Sequence, residues 1–132
     1  MHAFYAERFG LSVTGWRIVA YLGERAPLCA KDLAELAAMD QVSITRATAQ
    51  LAKLGYLRRR VDQTDRRRVL LQLSKRGLEV YSEVIPIATR LEQELLRDLT
   101  VSETALLDAM LRRIEARAAT IPLQEAQAQT AA

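Results

Sequence analysis

Between residues 53 and 76 the chain sets nine basic residues against two acidic ones. Six of its seven arginines come as two triplets, Arg58, Arg59, Arg60 and Arg66, Arg67, Arg68, with turn-forming residues 62–65 between them. Guanidinium groups grip phosphate and carboxylate as a planar fork, so an array this dense is suited to a polyanion rather than to one small ion. Just upstream, Ser43, Arg46, Gln50 and Lys53 recur on one side of a helical repeat whose other side is apolar. Catalytic chemistry has no comparable set. The sole histidine, His2, sits beside the N-terminus and the acids are scattered over helix faces, so no converging acid and base are expected and the chain is not read as an enzyme. One cysteine and one histidine exclude an intrachain disulfide and a structural zinc cluster, and no cofactor or metal is expected. Cys29 has Lys31 as its one basic neighbour in sequence and is read as a buried, unreactive thiol.

The elements that position these residues are legible from periodicity. A length of 132 residues allows one domain, or one domain plus an oligomerisation arm, and the second is expected. The net charge is only +3, but it is unevenly spread: residues 1–52 are balanced, the 53–76 segment is strongly basic, and residues 77–132 carry five basic against nine acidic residues. No apolar run approaches the roughly 18 residues of a spanning helix. Glu7 and Arg8 interrupt the place where a signal peptide would have its apolar core, so the expectation is a soluble cytoplasmic protein with no membrane partner.

After a short apolar segment (Phe4, Tyr5, Phe9), Leu11 and Ser12 predict the staple and cap of a helix to about residue 23, with Trp16, Val19, Ala20 and Leu22 inward. A second helix is expected over 30–38 and a third over 40–54, capped by Asp40, closed by Gly55, with Ile44, Ala47, Leu51 and Leu54 on one face. Alternation over Leu57, Arg59, Val61 and again over Val69, Leu71, Leu73 predicts a β-hairpin with one face on the core. Ser74 is expected to cap a long helix with Leu78, Tyr81, Ile85, Ala88, Leu91, Leu95 and Leu99 in one row and a kink at Pro86. Thr100 and Glu103 predict a capping box for a last helix with Leu107, Met110, Leu111 and Ile114 inward. The Ala, Gln and Thr-rich end has little to bury and is read as a disordered tail. These last helices carry more apolar surface than a winged core can cover, which predicts a homodimer.

The fold class is thus mainly α with a small β-hairpin wing: a winged helix-turn-helix with a helical dimerisation arm. Its order, with glycine at the helix end (Gly55), Arg59 and Arg60, Asp62, then Asp65, Arg66, Arg67, the Val69, Leu71, Leu73 alternation, Ser74 and Gly77, resembles the MarR family of transcriptional regulators across residues 4–117. The resemblance implies a partial N-terminal dimerisation helix over 1–10, a DNA-binding domain over 11–76, dimerisation helices over 77–118 and a tail over 119–132. It implies a dimeric, sequence-specific regulator of transcription, most often a repressor, on a pseudo-palindromic site in double-stranded DNA. The third helix would enter the major groove and the wing (62–68) the minor groove. Gln41, Ser43, Thr45, Arg46 and Gln50 are then the base-reading candidates, Arg46 first. Arg67 is the candidate for the minor groove, Asp65 its positioner, and Lys53, Arg58, Arg59, Arg60, Arg66, Arg68, Lys75 and Arg76 form a pool of phosphate contacts. Arg59 has a second reading, an ion pair with a core acid. Many such regulators release DNA on binding a small aromatic or carboxylate ligand in a cleft, for which Tyr5, Trp16 and Arg17 are the candidates here. Nine residues precede Gly10, fewer than that cleft wall normally uses. Cys29 does not match the position of sensor cysteines in oxidant-responsive relatives. The competing reading keeps the fold but makes it a protein-interaction module without independent DNA binding, which the wing arginines disfavour.

Overall fold

The computed structural model describes residues 2–121, with side chains from Ala6 onward. The expected tail lies outside the described residues except for 119–121, which form a turn and a bend. The chain divides into two compact units, one ending at Arg90 and the other beginning at Leu91.

In the first unit, α1 (His2–Phe9) stops at Gly10, whose φ of +67° is open to glycine at little cost. Ser12 accepts the Gly15 N–H at 3.0 Å and starts α2 (Val13–Arg25), which buries Ile18, Val19 and Leu22. A two-residue strand, β1 (Leu28–Cys29), leads into α3 (Ala30–Ala37). Asp32, in the first turn of α3, accepts the Cys29 N–H at 3.0 Å. The far end of α3 is satisfied from α2: Arg17 donates to the Ala37 carbonyl at 2.8 Å and the Tyr21 hydroxyl to the Leu36 carbonyl at 2.9 Å. These are carbonyls that every helix leaves without an internal donor. Ala38 then turns the chain in the left-handed region, φ 50°.

Asp40 caps α4 (Gln41–Lys53), accepting the Ser43 N–H at 2.8 Å. The expected core face of α4 is buried at Ile44, Ala47 and Leu51 and half-buried at Leu54. Thr48 joins it at 3% exposure because its hydroxyl donates back to the Thr45 carbonyl at 3.0 Å. Gly55 ends the helix at φ +80°. The hairpin strands, β2 (Leu57–Val61) and β3 (Val69–Leu73), fall where alternation predicts, with Leu57 opposite Leu73 and Val61 opposite Val69. The sheet has three strands, not two, because β1 pairs with the free edge of β3; two residues are too few to show alternation in sequence. And only the base of the hairpin reaches the core: Leu57, Leu71 and Leu73 are buried, while Arg59, Val61 and Val69 are exposed as the strands run out beyond the helices.

Ser74 stitches the next helix to the end of α4. Its N–H donates to the Tyr56 carbonyl, its hydroxyl to the Gly55 carbonyl, and its oxygen accepts the Gly77 N–H. From there α5 (Lys75–Leu95) runs through Pro86 and crosses between the two units. Its buried row within the single chain is Gly77, Val80 and Val84; of the row whose periodicity predicts the helix, Tyr81 is half-buried, and Leu78 and Leu95 are 50% and 79% exposed. The small and β-branched row fits close against the winged core, while of the larger row Tyr81 packs at the core's edge and Ile85, Ala88 and Leu91 are half-buried. In the second unit Thr100 and Glu103 form the expected capping box of α6 (Val101–Ala118), at 2.8 and 3.2 Å. Leu107 is half-buried, but Met110, Leu111 and Ile114, expected inward, are 43%, 55% and 66% exposed. No residue of α6 is buried within the single chain.

Candidate nucleic-acid interface

The core face of α4 fixes its opposite face outward. Gln41, Val42, Thr45, Arg46, Gln50 and Lys53 are all exposed there. Ser43 stands apart: it is half-buried, and its hydroxyl donates to the Asp40 carboxylate at 2.6 Å, so its one proton is spent on the cap. These bonds, the Ser43 hydroxyl's first and its backbone N–H second, hold the Asp40 carboxyl below the usual carboxylate range. Val42 escaped the sequence reading, which sorted the α4 face by polarity. At 69% exposure it is a large apolar side chain among polar readers, the type of group that contacts a thymine methyl. Its place outside the Ile44, Ala47, Leu51 row was the available signal.

The wing tip is ordered by its own acids. The Asp62 N–H donates to the Arg68 carbonyl at 2.9 Å, closing the hairpin mouth. The Asp62 carboxylate accepts the Thr64 N–H and hydroxyl at 2.9 and 2.8 Å, which lowers its pKa, the backbone bond contributing most. Asp65 accepts the Arg67 N–H at 3.0 Å. The acidic residue read as a positioner of the wing arginine thus touches its backbone, not its guanidinium. Arg66 and Arg67 are exposed at the tip, and neither enters any ion pair among the described residues.

The remaining arginines are used differently from one another. Arg58 and Arg60 are exposed on β2, opposite Gln72 and Leu70. Arg59 is also exposed and in none of the ion pairs among the described residues, so the core partner considered for it is not formed. Arg76 lies over the Tyr56 ring, 5.4 Å from its centre. Arg68 turns inward along the sheet: its guanidinium donates to Asp32 at 3.1 Å and lies 3.5 Å from the Cys29 sulfur. Cys29 therefore does have a strong basic neighbour, which sequence distance concealed because β1 and β3 bring residues 39 apart together. Asp32 was missed for the same reason.

Two of the three candidate cleft residues have described side chains. Trp16 is half-buried against the hydrophobic core, and Arg17 serves as the helix cap described above. Tyr5 has its side chain outside the described residues. Among the described residues no cluster of three potential metal ligands occurs, and no helix is long and apolar enough to cross a membrane.

Comparison with known proteins agrees with this geometry. Residues 9–68 match the model of the MarR family. Curated relatives include YwaE of Bacillus subtilis strain 168, an uncharacterized HTH-type transcriptional regulator, 26% identical over 106 residues covering 80% of this chain and 62% of YwaE. The HTH-type transcriptional regulator FarR of Neisseria gonorrhoeae is 36% identical over 69 residues, covering 52% of this chain and 47% of FarR. The chain thus spans between about half and two thirds of these relatives' length. Among solved structures, a probable transcriptional regulator from Pseudomonas aeruginosa is similar at 30% identity and TM-score 0.71, covering 86% of each chain. A MarR/EmrR family regulator from Acinetobacter sp. ADP1 shares the fold at TM-score 0.82 and 21% identity, over 91% of this chain and 84% of that one. Bordetella bronchiseptica BpsR, whose DNA binding is regulated by 6-hydroxynicotinic acid, shares it at TM-score 0.73 and 22% identity, over 85% and 82%. These relatives are transcriptional regulators, not enzymes.

Proposed function

The chain belongs to the MarR family, and from that premise we propose that it is a homodimeric, sequence-specific DNA-binding regulator of transcription acting in the cytoplasm as a repressor. One observation carries the reading: the outward face of α4, polar with Arg46 at its centre, stands in the same unit as a wing whose tip holds Arg66 and Arg67 exposed on an ordered turn. In this reading α4 lies in the major groove, where Arg46 makes a forked pair with guanine and Gln41, Thr45, Gln50 and Val42 read neighbouring edges. Arg67 enters the minor groove, drawn by its focused negative potential, while Lys53, Arg58, Arg60 and Arg66 neutralise phosphates.

Dimerisation is supported by the uncovered apolar side chains. Leu106, Leu111 and Ile114 of α6 are each more than half exposed in the single chain. Covering a side chain of that size is worth about 1.5–3 kcal/mol, so a second copy has a large driving force to dock there. Met110, Ile114, Ala118 and Ile121 also line a groove of about 640 Å³ on this unit, ready to receive side chains. Two-fold symmetry then requires a pseudo-palindromic site with half-site centres about 10 base pairs apart. By analogy with BpsR, release by a small carboxylate-bearing aromatic is part of the proposal, with Tyr5 and Trp16 as candidate contacts, Arg17 being engaged with α3. Selection of bound fragments from a random duplex pool tests the reading. It predicts an enriched inverted repeat, and a pool with no enriched sequence at moderate salt rejects it.

A further inference from the structure

Arg68 differs from its neighbours in being held. Its backbone closes the wing twice, donating to the Asp65 carbonyl at 2.9 Å and accepting the Asp62 N–H at 2.9 Å. Its side chain crosses to α3, where Asp32 takes the guanidinium at 3.1 Å and the Cys29 sulfur lies at 3.5 Å. Asp32 is itself fixed, because the same oxygen accepts the Cys29 N–H at 3.0 Å. Cys29 pairs with Leu70 in the β1–β3 ladder. The wing is therefore tied down at two levels, by the ladder at its base and by the Arg68 side chain one step further out. Beside this tie lies a groove of about 590 Å³ whose walls include Lys31, Glu35, Gln41 and Arg67, so the first residue of α4 and the wing tip border one space.

We propose that Asp32 and Arg68 form a strut that sets the angle of the wing relative to α3 and α4, making Arg68 a positioning residue rather than a phosphate ligand. This rests on the DNA-binding reading for its consequence, though not for its geometry. The side chains are 45% and 35% exposed, so the pair is well solvated and adds little to global stability. Its effect is local. A hairpin anchored only at its base samples more orientations, and DNA affinity falls by the fraction of time the tip spends in the competent one. An acidic residue on a face that meets phosphate would otherwise repel it; paired with Arg68 it is neutralised.

The test uses Asp32→Asn, Arg68→Gln and the double variant of the full chain. Asparagine keeps an oxygen for the Cys29 N–H, so α3 retains its cap. In the free protein the ¹⁵N order parameters of Arg66 and Arg67 should fall in both single variants, with the melting temperature lowered only slightly because the pair is well solvated; unchanged order parameters overturn the strut whether or not DNA is bound. On a selected duplex each single variant should bind roughly 3- to 10-fold more weakly, the double no worse than either, with the salt slope preserved. The opposite sign is diagnostic. If Arg68 is a phosphate ligand that Asp32 merely competes for, Asp32→Asn binds more tightly with a steeper salt slope, and Arg68→Gln loses about 0.9 of a unit of slope. That result overturns the proposal. A wild-type protein that binds no duplex while its variants loosen the tip rejects the regulatory reading and upholds the strut.

Discussion

Replacing Gly77 with alanine puts two effects of opposite sign in competition, and the structure decides between them. In the interior of a helix alanine is favoured over glycine by about 0.5–1 kcal/mol. Here the new methyl would fall inside the contact distance of the Tyr56 carbonyl oxygen, 3.0 Å from its carbon and 3.3 Å from the Leu73 Cβ. The carbonyl cannot step aside, since it accepts the Ser74 N–H at 2.8 Å and Tyr56 is 4% exposed. The strain must instead shift the start of α5, disturbing the Ser74 cap and the seats of Val80 and Val84. Overpacking of this kind costs about 1–3 kcal/mol and a weakened hydrogen bond about 0.5–1.5. The net expectation is a destabilisation of about 2 kcal/mol, or a fall in melting temperature on the order of 10 °C. Thermal and urea denaturation at one fixed protein concentration measure it, the fixed concentration being needed because association shifts the midpoint. A variant as stable as the parent would refute the argument that α5 leaves the hairpin through a contact only glycine permits.

Other perturbations read other parts of the molecule. Arg67→Ala should weaken binding to specific and random duplex alike; if the residue neutralises a phosphate, the salt slope becomes shallower by about 0.9, which anisotropy titrations at several salt concentrations measure. Ile114→Asp places a charge in the apolar row of α6 and should convert a dimer to monomer in sedimentation equilibrium, leaving the helical circular dichroism of the first unit largely intact. Ala38→Gly removes a Cβ from a left-handed residue and should stabilise the free protein by about 1 kcal/mol, read as a raised denaturant midpoint. Asp32, Asp40 and Asp62 are all held below their ordinary range by hydrogen bonds made in the folded chain. A depressed folded pKa gives stability that is present above the unfolded value, about 4, and is lost as pH falls through the folded one. Stability should therefore be level from neutral pH to about 5 and drop below about 4, and Asp→Asn substitution at these sites should flatten that drop.

Much of the fold could be read from the sequence because its signals were local. Ser12, Asp40 and the Thr100 and Glu103 pair are caps whose partners lie three residues away, and the hairpin strands have a period that five residues suffice to show. What escaped was set by tertiary neighbours. The α5 row that packs inward is Gly77, Val80 and Val84, selected for close approach, while a hydrophobicity count favours the larger leucine row. The third strand has two residues and exists only because β3 offers an edge. At the candidate interface, the α4 face and the wing arginines were legible from periodicity and charge. The division of labour among those arginines was not, since it depends on Asp32 and Cys29, far away in the chain. Ser43 looks like a base contact from its place on the α4 face, but its hydroxyl donates to the Asp40 cap.

The most direct measurement is a hydroxyl-radical footprint on the duplex recovered by selection, taken together with the stoichiometry of the complex. Two copies of the chain bound per duplex, protecting a pair of inverted half-sites about 10 base pairs apart, is the predicted result. Protection without sequence preference, or one copy on a single half-site with undiminished affinity, would contradict it.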